Sequence, residues 1–136
     1  TVQTTLAALT PEQLLNHAPR DAVTGALSVL FVYVGAVPGL LRSFLEMSLR
    51  DDEIAAIRRD LDAQTRHRLA QVIAVSTSRS DVPDPEAMAL VLHACAVECA
   101  FAAAGVHGHV PMSPERIRAT LTLAVTRALC ADGPAR

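Results

Sequence analysis

The sequence has no Trp, one Tyr and three Phe, so aromatic residues make up 3% of its 136 positions although 51% are apolar. Any core must therefore be built from Leu, Val, Ala and Ile. A β-sandwich or barrel of this length would carry more aromatic and β-branched strands, with turn signals at short intervals. Neither is present. Lys is also absent, which leaves Arg as the only source of positive side-chain charge apart from His, and the Arg residues are interleaved with acids to a net charge of −2. A nucleic-acid-binding surface normally presents a basic face or stripe; without one, these residues are not expected to hold DNA or RNA by themselves. Cysteine is sparse and odd in number (Cys95, Cys99 and Cys130), which excludes a disulfide framework and suits the reduced thiols of a cytoplasmic protein. No charged segment followed by an apolar one marks a signal peptide. The length suits one domain, residues 1–136, with one core.

One long uncharged run, Ala22 to Leu41, is long enough to span a bilayer. Pro38 falls within it, where a new helix would begin, so the uninterrupted helix ends near Val37 and is short for a crossing. No basic cluster flanks it on one side. A buried helix is expected there, and no membrane contact.

What the sequence does have is a repeated helix-start phrase: Thr10-Pro11-Glu12, Asp84-Pro85-Glu86 and Ser113-Pro114-Glu115. Each sets a capping oxygen at the N-cap, a Pro at the first helical position and an acid in the first turn. The cap accepts from unpaired N–H groups, Pro has no N–H to leave unpaired, and the acid sits at the positive end of the helix dipole. About six helices follow. They cover about Pro11 to Ala18, Ala22 to Val37 capped by Asp21, Pro38 to Leu49, Asp51-Asp52-Glu53 onward to Ser76, Pro85 to Ala104, and Pro114 to Ala131. Residues 1–9 are a frayed helix or disordered. The fold class is all-α.

The fourth of these helices is amphipathic, with Ile54, Ile57, Leu61, Leu69, Val72 and Ile73 at helical period and Asp62 placed to pair with Arg66. The second and fifth are apolar nearly all round, which implies burial on all sides. A chain this short has little room for two such helices, so one is expected to lie in a dimer interface. On the fifth, Ala89, His93, Ala96, Ala100 and Ala103 fall on one narrow face of small residues. That face is expected to meet a partner subunit, with Val91, Ala94, Cys95, Glu98 and Ala102 facing the subunit's own interior.

The order of these pieces resembles a known family. The stretch PGLLRSFLEMSLRDDEIAAIRRDLDAQTRHRLAQVI resembles the middle of a C-terminal domain of the TetR family of transcriptional regulators, where an apolar helix ends at a Pro-containing turn, a short helix follows, and a long helix opens with acids. DPEAMALVLHACAVECAFAAA, a loop, and SPERIRATLTLAVTRAL resemble that family's closing helix pair. The resemblance covers roughly Pro19 to Ala131. It implies a homodimer in which the last two helices form a four-helix bundle across a twofold axis, adding Leu121 and Val125 to the interface. It also implies a small hydrophobic or amphipathic effector bound among the helices, whose binding releases the intact protein from operator DNA. Family members begin with a three-helix DNA-binding segment containing a helix-turn-helix. Nothing before Thr10 supplies one, so operator DNA would be reached only through an N-terminal domain absent from this sequence.

Glu98, mid-helix among Ala, Val and Cys, is the foremost polar candidate. A buried carboxylate must be paired or neutralised, so Glu98 either anchors a polar or cationic part of a ligand or pairs with an Arg of its own chain. Tyr33, the only Tyr, offers a hydroxyl to a pocket or sits in plain core with that hydroxyl satisfied. Phe44, Met47 and Met88 read as flexible apolar lining or as core. Leu69, Ile73, Val91 and Cys95 complete the expected lining. His93 lies about 200° around the helix from Cys95, and no second cluster completes a zinc set, so no metal or cofactor is expected. His107-Gly108-His109 reads as a solvated loop. No activated nucleophile, P-loop or zinc-protease string is present, so an enzyme is not expected. A small-molecule-sensing domain leads, with a ligand-free helical dimerisation module and a small helical enzyme as alternatives.

Overall fold

The computed structural model describes residues 19–77 and 82–129. Among these there is no strand, and the chain forms α1 (Pro19–Ala36), α2 (Pro38–Ser48), α3 (Asp52–Ser76), α4 (Pro85–Ala104) and α5 (Pro114–Leu129). The expected helix over Pro11 to Ala18, and the chain beyond Leu129, lie outside the described residues.

The helix starts follow from their side chains. Asp51 accepts from the N–H groups of Glu53 and Ile54 at 2.9 and 3.2 Å, and Asp84 from that of Ala87 at 2.9 Å. Ser113 accepts from the N–H of Arg116 at 3.3 Å. Each satisfies an N–H that the helix itself leaves unpaired. The start of α1 corrects the sequence reading. The helix begins at Pro19, and Asp21, expected as its cap, sits in its first turn. Pro is as well suited to open a helix as to close one. The uncharged run from Ala22 to Leu41 is broken at Val37, and the two helices on either side meet at 84°.

The end of α4 is built to turn. Gly105 adopts φ +69°, a left-handed conformation that favours Gly. Its N–H donates to Ala102 O at 3.2 Å, and Val106 N–H reaches back to Phe101 O at 3.0 Å. This double bond pattern satisfies two terminal carbonyls. Val106, next in the chain, is buried. Arg42 of α2 fastens the turn from outside, with Nε donating to Val106 O at 2.7 Å and Nη2 to Gly105 O at 3.0 Å.

α4 is the central helix, packed by α1, α3 and α5, while α2 lies on α3. The main core joins Leu27 of α1, Ala70 and Ile73 of α3, Ala89 and Leu92 of α4, and Leu121 and Val125 of α5. A second cluster, Val34, Ala100 and Val106, is covered by Leu41 and Leu45 of α2 together with Phe101.

Candidate functional site

The face of α4 that was expected to meet a partner is turned toward the chain's own core. Ala89 is 0% exposed and Ala100 1%, and Ala96 packs against the main core. A side chain closed off within its own subunit cannot touch another, so Ala89 and Ala100 are removed from the expected interface. Ala96 and Ala103, both part-buried, belong to the same inward face. Leu121 and Val125 are buried in the same core and are likewise corrected to interior positions. His93 also faces inward. Its Nε2 lies 3.9 Å from Asp62 of α3, with the His93 side chain only 16% exposed. Burial lowers the His93 pKa, Asp62 opposes that shift, and Arg66 adds to it. Asp62 lies 4.0 Å from Arg58, one turn before it, whereas the sequence reading paired it with Arg66, one turn after.

The reason is size. α4 is apolar on every side, so polarity gives its orientation no phase. As the central helix it has three neighbours to accommodate, and Ala lets them approach where Leu and Val would hold them off. Larger residues lie on both sides: Leu92 is buried in the core and Met88 packs against it, whereas Leu90 and Val91 are 50% and 55% exposed, with Ala87, Ala94 and Cys95 exposed beside them. The only charged side chains on the exposed side of α4 are Glu86 and Glu98. By length and composition α4 is also the one described helix long and apolar enough to cross a membrane, and most of it is not buried.

Glu98, expected in a pocket wall, is therefore at the surface. Its side chain is 72% exposed, 4.0 Å from His107, and His107 packs edge-on against Phe101 with ring centroids 5.7 Å apart. The other expected lining residues do not converge either. Leu69, Ile73 and Met88 belong to the main core. Tyr33 of α1 and Met47 of α2 are exposed, as are Val91 and Cys95 of α4, and Phe44 is half-buried. Cys99 packs against the core, and its thiol pKa is raised first by burial, then by Cys95 and Glu98. No group of three or more metal-ligating side chains occurs among the described residues.

The structure instead presents an open groove of about 320 Å³ where the C-terminal ends of α1 and α4 meet the start of α5. It is lined by Phe31, Val32, Gly35, Ala103, Ala104, Pro114, Glu115 and Arg118. None of these was singled out as lining in the sequence. The available signal was Gly35 near the end of an otherwise bulky apolar helix, one α-turn from Phe31. The phase of α4, in contrast, had no signal in polarity. The chain matches no protein-family model, no curated protein and no solved structure.

Proposed function

We propose that this chain is the effector-sensing and dimerisation domain of a TetR-like transcriptional repressor. On this reading it is a homodimer in which α4 and α5 of each subunit form a four-helix bundle. A small, mostly apolar effector releases the intact protein from operator DNA, which is held by a segment outside these residues. The observation that carries the reading is the exposed face of α4, with Leu90, Val91, Ala94 and Cys95 open to solvent. An apolar surface of this kind marks an interaction site.

Charge complementarity favours a second copy as the occupant. The exposed side of α4 carries Glu86 and Glu98, and that of its packed neighbour α5 carries Arg116 and Arg127 on one stripe, with the exposed Glu115 and Arg118 lying toward the groove with α1. The acids are separated by about 18 Å along one helix axis and the arginines by about 16 Å along the other. A twofold contact that lays α4 of each subunit against α5 of the other pairs these charges reciprocally, as an isologous interface requires. A bilayer fits less well. α3, packed along α4, carries Arg58, Arg59, Asp60, Asp62, Arg66 and Arg68, and charge at that density is costly in hydrocarbon.

Sedimentation equilibrium at micromolar concentration tests the reading: it expects a dimer, and a monomer overturns it. The scatter of the expected lining residues favours a second reading, a dimerisation module without an effector. Operator affinity of the intact protein separates the two. A change at saturating effector supports sensing, since coupling requires different effector affinity in the DNA-bound and free states.

A further inference from the structure

The groove between α1, α4 and α5 has two chemically distinct sides. Phe31, Val32 and Gly35 of α1 form an apolar wall with Ala103 and Ala104 of α4, and Glu115 and Arg118 of α5 form a polar rim. Its volume of about 320 Å³ lies at the small end of ligand clefts, roughly 300–1,000 Å³. A Cβ at Gly35 would meet nothing within 4 Å, so the groove is open down to the backbone of α1. Glu115 and Arg118 stand three residues apart on one helix, a spacing at which side chains can meet. Yet among the described residues neither side chain makes an ion pair or a hydrogen bond.

An apolar wall beside one unpaired cation and one unpaired anion is complementary to a molecule with the same three features. We infer that the groove binds an α-amino acid with an apolar side chain. Its carboxylate meets Arg118, its ammonium meets Glu115, and its side chain covers Phe31, Val32 and the two alanines. Ligands with one charge fit worse. An alkyl carboxylate satisfies Arg118 but brings its anion beside Glu115, and an alkylamine has the reverse mismatch. The inference deepens the effector-sensing reading by naming a ligand class, and it rests on that reading only for the ligand's role as effector.

Calorimetric titration of the full chain with leucine and phenylalanine, against hexanoate and hexylamine, tests it. At least one amino acid should bind, with both single-charge compounds weaker by about tenfold or more. Arg118→Ala should weaken the amino acid by a similar factor. Glu115→Gln should weaken the amino acid while tightening hexanoate, an inversion that loss of a purely structural side chain would not produce. Gly35→Leu should block the groove while circular dichroism reports unchanged helix content. Absence of amino-acid binding, hexanoate binding as tightly as leucine, or a Glu115→Gln variant with unchanged preferences overturns the inference. Such a failure leaves the dimer standing, because sedimentation measures that separately.

Discussion

The two faces of α4 are nearly equal in hydropathy and opposite in fate. The inner face, with Ala89 and Ala100, is closed off against α1, α3 and α5; the outer, with Leu90 and Val91, is half open to water. Bulk alone does not sort them, since Leu92 is inside while Leu90 and Val91 are outside; where α4 meets its neighbours most closely, at Ala89 and Ala100, small residues allow the approach. A helix apolar on both sides has two faces that would gain from burial, and only one is buried within this chain.

The sharpest way to break this comparison is to place the same side chain on each face. Ala89→Leu should lower unfolding free energy by about 1–3 kcal/mol through overpacking, and Ala94→Leu should leave it within about 0.5 kcal/mol, both measured by denaturant unfolding at a dilution that suppresses association. Equal effects would mean the faces are not distinct. A somewhat smaller effect is expected where the inner face is anchored at its end. Arg42→Ala removes two hydrogen bonds to the turn after α4 and should cost about 1–2 kcal/mol, with faster amide exchange at Val106.

Thiol chemistry offers a gentler probe of the same contrast. Cys95 is exposed and Cys99 part-buried with its thiol pKa raised, so peptide mapping after limited alkylation should find Cys95 modified first. If the outer face is a subunit contact, Cys95 labelling should also slow as protein concentration rises. The smallest effect expected is that of pH. Burial depresses the His93 pKa, so the unfolded chain takes up the proton more readily between that lowered value and the ordinary one of about 6.5. The contribution of this group is full above the ordinary value and declines as pH falls through the window. His93→Gln should therefore flatten part of the stability loss seen on acidification from about pH 7.5 to about pH 5.

Much of the fold was legible in the sequence because it is encoded locally. Asp84 and Ser113 cap the helices they were expected to cap, Gly105 turns the chain after α4, and Pro38 divides the long uncharged run. These signals act within a few residues and need no knowledge of what packs where. Asp21 was misread because Pro19 serves equally as a stop and as a start. The candidate site was hardly legible, since it depends on which side of a helix meets its neighbours. Glu98 drew attention as a carboxylate among apolar residues, which would be costly only in the interior; on the outer face it is solvated, 72% exposed. The groove escaped notice because Phe31, Ala103 and Arg118 come from separate helices and share no spacing in the chain.

The proposed dimer sets the outer face of α4, with its acids, against the α5 arginines of a second copy. Reversing one charge set at a time tests it. The wild type is expected to be a dimer in sedimentation equilibrium, and Glu86→Arg with Glu98→Arg in one variant, or Arg116→Glu with Arg127→Glu in another, should each shift it toward monomer. Mixing the two should restore a one-to-one dimer, because opposite charges then face each other at both contacts. Association as strong as wild type in either variant alone, or a mixture that stays monomeric, would contradict the claim.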